Sequence, residues 1–433
     1  MRILLILFGL LFFLDSNAQN TQDLNLQLQQ SNVLNKHYYG FSLYDLDEKE
    51  FVFGYNEDKH FTPASNTKVF TLLASLKLIG DSIPGLAYVE RGDSLIFWGT
   101  GDPTFLHARL DNNLVYSFLK NSNKKLFYAP SSTQEPFYRD GWSIEDYEYY
   151  YQPEISSFPI YGNVIQFKEK NRALKLIPSY FEKDLVLLAD TVTKYRIHRR
   201  LENNIFEINT FPVPQNYVNE KPFRTSDSLV IQLLQDTLKK DITLINYDLP
   251  NDNKIIYSYA TKEVLREMML PSDNFLAEQL NMVASFIKYR TFNTIDLRDY
   301  MKETYYSKLS DSIQLRDGSG LSTYNKVTPR SMIETLLLIQ DELGLENESE
   351  KLNLFPAGGL EGTLKNVYPT PNGKAFVWAK TGTINSVHCQ SGFIYTKKGK
   401  RYAYSFLNNN YMGGASPVRK EMVRVVSYIY ENY

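Results

Sequence analysis

The sequence predicts an α/β (α+β) protein: an antiparallel sheet flanked by helices and interrupted by a large β-rich inserted module. Three observations carry that expectation. β-rich runs lie near the start of the chain (residues 39–44 and 51–55) and near its end (375–379, 392–396 and 401–406). Helical periodicity dominates the stretches between, at 63–80 and again from about 261. The intervening residues, from about 86 to 249, are aromatic and strand-like with weak helical period.

Taken in order, Met1-Arg2 precedes an apolar run from Ile3 to Leu14, which Ser16-Asn17-Ala18 follows. A short apolar core and small residues two apart describe an export signal cleaved near Ala18, too short to span a bilayer comfortably. Residues 19–36 are rich in Gln and Asn and read as a short helix or a loose start. Two β-rich runs around Asp45-Leu46-Asp47-Glu48-Lys49 form a hairpin. Val69, Leu72, Leu73, Leu76 and Ile79 then fall at helical spacing, from a start near Pro63 to a stop at Gly80. The β-rich stretch follows, with runs such as 94–98, 163–167 and 184–188. Helices return at 263–270 and 275–287, and Pro417 opens a last helix through Tyr433. The expected organisation is therefore a signal peptide over 1–18 and a discontinuous domain of 19–85 plus 251–433, its helical part around 261–345. Residues 86–250 form the inserted module.

Of the 433 residues, 43% are apolar and 22% charged, enough for a sizeable core and against global disorder. A net charge of −2 is no footprint for nucleic acid. No later stretch is apolar enough to span a membrane, so no stable span is expected in the mature chain. One cysteine, Cys389, makes no internal disulfide and reads as a small buried hydrophobe. Five scattered histidines form no ligand-like pair, and no metal or cofactor is expected. Export without disulfides points to a periplasmic bacterial envelope protein.

The chemistry lies in three short boxes. In Ser65-Asn66-Thr67-Lys68 the serine and lysine are three apart at a helix start, sharing a face with Cβ atoms ~5–6 Å apart. A serine hydroxyl is a poor nucleophile until a nearby base takes its proton, and a lysine amine can be that base. By itself the spacing means little, since it recurs at Ser117/Lys120, Ser122/Lys125 and Ser285/Lys288, where a solvated helix face is the plain reading. Two further boxes change this. Ser272-Asp273-Asn274 sits between two helices, and Lys380-Thr381-Gly382, followed by Thr383, ends an apolar strand. Ser-x-x-Lys, Ser-Asp-Asn and Lys-Thr-Gly, in that order and in those contexts, are the signature set of class A β-lactamases and penicillin-binding proteins.

The chain resembles the D-alanyl-D-alanine carboxypeptidases/endopeptidases of the penicillin-binding protein 4 type, the low-molecular-mass class C penicillin-binding proteins. Residues 272–280 match that family's extended second box, and 317–329 a box specific to it. Residues 99–104 and 357–363 match as well. The resemblance implies a serine β-lactamase/DD-peptidase-like fold and a catalytic domain interrupted by an accessory module. It implies Ser65 as the nucleophile, Lys68 as its base, Ser272 as a proton carrier and Asn274 as the holder of the substrate amide and of Lys68. Lys380, Thr381 and Thr383 would take the terminal carboxylate, with Gly382 giving the substrate close access to the strand. The oxyanion hole would be the backbone N–H groups of Ser65 and Thr383. The Asp317–Ser322 stretch reads as structural turn chemistry, and His388 as a packing residue. Implied partners are peptidoglycan stem peptides and, as covalent inhibitors, β-lactam antibiotics. Two alternatives share the fold: a serine β-lactamase and a non-catalytic envelope receptor. Intact Ser65, Lys68, Ser272 and Lys380 argue against the receptor, and the large insertion favours the peptidase over the β-lactamase.

Overall fold

The computed structural model describes residues 21–110, 114–131, 135–189, 194–344 and 348–433. The expected signal peptide, 1–18, lies outside them. The chain divides into two compact units: 1–73, 269–272 and 301–433 form one, 74–268 and 273–300 the other.

The first unit is built on a five-stranded antiparallel sheet. Its order is Val377–Ile384, Val387–Tyr395, Arg401–Asn409, Tyr38–Asp45, Glu50–Tyr55. Strands from the two chain ends therefore meet, with Phe41 opposite Phe406 and Ser42 opposite Ser405. Side chains alternate across a strand. One face presents Tyr39, Phe41, Leu43, Val377 and Ala379. These residues share a core with Leu24 and Leu28 of the helical residues 21–29, and with Val418, Met422, Val425 and Ile429 of the helix Ser416–Asn432. The opposite face, at Gly40, meets Pro329 at the start of the helix Pro329–Leu343. That helix begins on a Thr328 cap, whose hydroxyl accepts from Ser331 N at 3.0 Å. Lys380 and Gly382 alternate with Ala379 and so lie on this second face. The layering of helices on both faces of one sheet is the predicted fold class.

The second unit carries a mixed five-stranded sheet, in the order Ile242–Leu244, Lys125–Tyr128, Ser94–Trp98, Ser82–Arg91, Lys254–Ala260. Two three-stranded sheets accompany it, one centred on Val164–Lys170 and one on Phe206–Asn209. Phe97, Phe158, Phe167, Phe181, Phe206 and Phe223 build its core. This β-structure starts at Ser82 and ends at Ala260, beyond the expected 86–250 on both sides. The stretch also holds two helices that its weak periodicity concealed, Leu114–Asn121 and Asp227–Leu238. The second had a readable start: Ser226 caps it through Leu229 N at 3.2 Å, and Leu229, Val230, Leu233, Leu234 and Leu238 follow at helical spacing.

Candidate active site

Ser65 lies in the 3₁₀ turn Ala64–Thr67, which leads into the α-helix Lys68–Leu78. The expected helix start thus begins as the tighter helix type, a frequent form of first turn. The turn keeps Ser65 and Lys68 on one face, and Lys68 Nζ donates to Ser65 Oγ at 3.0 Å. Lys68 is fully buried and also donates to the Ser319 carbonyl at 2.6 Å.

A second serine–lysine pair lies in the same unit. Lys380 Nζ donates to Ser272 Oγ at 2.7 Å and to the Thr381 carbonyl at 2.6 Å. Lys380 is likewise fully buried. Burial, and then the electrostatic influence of neighbouring Lys68, hold its pKa well below the ordinary lysine value. Ala64 (φ 47°) and Ser272 (φ 66°) occupy left-handed backbone without being glycine. Each such residue costs about 1–2 kcal/mol, which the surrounding contacts must offset.

Lys380, Thr381 and Gly382 fall inside the strand Val377–Ile384 rather than at its end, a correction to the sequence reading. The cause is continued pairing: Lys380 faces Ser391, Gly382 faces Cys389 and Ile384 faces Val387. At Gly382 the strand passes so close to the helix start that a Cβ would stand 2.7 Å from Ser65 N and 2.6 Å from the Pro63 carbonyl. The Thr381 hydroxyl donates to Thr363 Oγ1 at 2.8 Å. The Thr383 hydroxyl meets His388 Nδ1 at 2.8 Å, directly across the strand pair. His388 is therefore more than packing, since it fixes a hydroxyl of the third box. Its burial pushes the imidazole pKa down to about 4, so the ring is neutral.

Asn274 belongs to the second unit. It opens the helix Asn274–Tyr289 behind an Asp273 cap, and its amide donates to the Tyr151 carbonyl at 2.9 Å. The other seven expected site residues stand in the first unit.

Two contributors were not visible in the sequence. Ser319 supplies a backbone carbonyl to Lys68 from 251 positions away, a role no side chain advertises. Its loop is shaped by Asp317, whose carboxylate accepts from Gly320 N at 3.0 Å, Ser322 N at 2.7 Å and Asn325 Nδ2 at 2.6 Å. The turn chemistry read in 317–322 thus has a direct outlet at Lys68. Thr363 is the second contributor. It lies in the 357–363 stretch, which carried a family resemblance but no assigned role.

A sequence profile of the D-Ala-D-Ala carboxypeptidase 3 (S13) family matches residues 20–428. The chain belongs to that family. S13 membership bears out the resemblance and the serine carboxypeptidase class expected from the three boxes. Among curated relatives, D-alanyl-D-alanine carboxypeptidase DacB of Haemophilus influenzae is 24% identical, over 91% of this chain and 89% of its own. The D-alanyl-D-alanine carboxypeptidase of Actinomadura sp. is 25% identical, over 89% and 80%. The crystal structure of penicillin-binding protein 4 of H. influenzae superposes with a TM-score of 0.73 at 20% identity, covering 95% of this chain and 99% of that one. A predatory peptidoglycan endopeptidase of Bdellovibrio bacteriovorus gives a TM-score of 0.54 at 15% identity, covering 91% and 93%. These likenesses bear out the predicted fold. Among the described residues no helix is long and apolar enough to cross a membrane.

Proposed function

We propose that this S13 protein is a periplasmic serine DD-peptidase that cleaves D-alanyl-D-alanine, or D-alanyl crosslink, bonds of peptidoglycan stem peptides. Ser65 Oγ attacks the penultimate D-alanyl carbonyl and forms an ester while Lys68 Nζ takes the hydroxyl proton. The proton passes through Ser272 to the departing amine, and water then hydrolyses the ester by the reverse route. Asn274 holds the substrate amide. The backbone N–H groups of Ser65 and Thr383 hold the oxyanion, where donors fixed in advance act most strongly. Lys380, Thr381 and Thr383 take the terminal carboxylate, and Gly382 lets the substrate lie against the strand. Residues 19–85 with 251–433 serve as the catalytic domain and 86–250 as an accessory module. β-Lactams acylate Ser65 in the same way.

The observation that carries this reading is the pair of buried serine–lysine contacts in one unit, Ser65–Lys68 at 3.0 Å and Ser272–Lys380 at 2.7 Å. One lysine is within reach of the nucleophile's proton, and the other donates to the second serine. Family membership supports the substrate class, and the H. influenzae penicillin-binding protein 4 structure determined with a β-lactam supports the inhibitor class.

The test is a time course with a fluorescent penicillin. A lasting adduct is expected, absent in Ser65→Ala, which should also lose peptidase activity by several orders of magnitude while keeping its melting temperature. A rapidly lost adduct would mark a β-lactamase, and no adduct a receptor. A Ser65→Ala protein that still labels would place the nucleophile elsewhere.

A further inference from the structure

We infer that Thr363 is a specificity-determining positioning residue, which sets the Thr381 hydroxyl for the substrate's terminal carboxylate. The inference rests on the carboxylate role proposed above for Thr381 and Lys380. The stretch 356–363 runs beside the Lys380 strand as a bracket. Ala379 N donates to the Pro356 carbonyl at 3.0 Å, and Gly358 N to the Val377 carbonyl at 2.8 Å. At its far end Thr363 N donates to the Leu270 carbonyl at 3.1 Å, two residues before Ser272. The Thr363 side chain is left exposed, beside a half-buried Thr381, where a ligand can reach the hydroxyl pair.

The pair has a defined polarity. Thr381 Oγ1 donates to Thr363 Oγ1 at 2.8 Å, so in the free protein the one hydroxyl proton of Thr381 is turned away from any ligand. A carboxylate oxygen is a stronger acceptor than a threonine hydroxyl. When one arrives, Thr381 rotates its O–H onto the carboxylate, and Thr363 then donates its own proton back to Thr381 Oγ1. The two-hydroxyl chain reverses as a unit. With the carboxylate bound, the Thr381 hydroxyl makes two hydrogen bonds, and its donation to the anion is strengthened by the bond it accepts. Substrates without a carboxylate do not trigger the reversal and gain nothing from Thr363.

Thr363→Val isolates this hydroxyl, because valine keeps the shape and the backbone bond to Leu270. The experiment compares kcat/KM on a matched pair of acyl-D-alanyl-D-alanine peptides, one with a free C-terminal carboxylate and one amidated, for wild type, Thr363→Val and Thr363→Ser. Wild type should prefer the free acid. Thr363→Val should lose about fivefold on the free acid, chiefly in KM, and less than twofold on the amide, with an unchanged melting temperature. Thr363→Ser should behave as wild type. Equal losses on both substrates would make Thr363 a structural strut and overturn the inference, as would no loss at all. A wild-type enzyme indifferent to amidation would instead overturn the carboxylate reading of Thr381 and Lys380, and this inference with it.

Discussion

Lys380 is buried with two neutral partners, the Ser272 hydroxyl and the Thr381 carbonyl, and a second lysine acts on it from nearby. Its protonated form is therefore disfavoured, and the cation is lost as pH rises through a pKa well below the usual lysine range. In the proposed carboxylate role of Lys380, a bound substrate carboxylate restores that charge, so binding of the free acid is linked to proton uptake. The preference for a free over an amidated terminus should accordingly be largest at mildly acid pH and shrink toward alkaline pH. In Lys380→Ala it should fall by about tenfold and lose its pH dependence. Ratios of kcat/KM for the two peptides between pH 5.5 and 10 measure this, and a wild-type ratio that grew with pH would contradict it. Lys68 poses a different demand. In the proposed mechanism it accepts a proton from Ser65, which a guanidinium does not do. Lys68→Arg should retain the fold and lose at least about 1,000-fold in penicillin acylation rate, followed by stopped-flow labelling. Near-normal acylation would assign the proton to another group.

At the scale of elements, the Ser65–Lys68 pair stands where one helix start, one strand and one loop meet. The loop 317–322 explains why the helix start holds its shape. Gly320 has φ 87°, and a Cβ there would stand 1.9 Å from the Ala64 carbonyl, beside the residue whose own φ is 47°. Backbone cannot yield as a flexible side chain can. Gly320→Ala should therefore destabilise the protein by more than about 2 kcal/mol and misplace Ser65 and Ser319 together. Urea unfolding and penicillin acylation should both register the change, and a variant normal in both would remove the loop from this role. The strand makes the complementary point. Lys380, Thr381 and Gly382 looked like a strand exit because small and polar residues follow an apolar run. Pairing to Val387–Tyr395 carries the strand on to Ile384, since a ladder of backbone bonds does not depend on side-chain polarity.

Over the whole molecule, stability should carry the mark of a buried acid outside the site. Asp102 is buried in the second unit. It accepts from Thr104 N at 2.9 Å and from the Thr104 hydroxyl at 3.0 Å. Burial nevertheless raises its pKa from 3.8 to about 6. Between those values the native chain holds more protons than the unfolded one, so stability falls as pH rises through the window, by about 3 kcal/mol in all. Asp102→Asn should flatten that slope, read as the change in urea midpoint between pH 4 and pH 7. An unaltered slope would assign the proton elsewhere. Legibility follows the same division of scales. Ser65, Lys68, Ser272, Asn274 and Lys380 could be named from the chain because each box is a local pattern of reactive residues. Hydrophobic period located the helices Thr261–Met269 and Asn274–Tyr289 to within two residues. Leu114–Asn121 escaped because its eight residues are too few for a period to stand out among neighbouring β-rich runs.

The sequence by itself therefore determined the reaction class and offered the boxes from which its functional groups are proposed, because those depend on side-chain chemistry at short spacing. It also determined that the two chain ends share a sheet, because both are written in the same strand alphabet. Only the tertiary structure decided what surrounds those groups: the Ser319 carbonyl on Lys68, the Thr363 hydroxyl on Thr381, the His388 ring on Thr383 and the low pKa of Lys380. The Ser319 contact comes from 251 positions away and the Thr363 contact from 18, while the His388 contact arises from register across adjoining strands. The low Lys380 pKa arises from burial and a neighbouring charge. No local pattern records a backbone carbonyl's direction, a strand's register or the absence of water around an amine, because each exists only once the chain has packed.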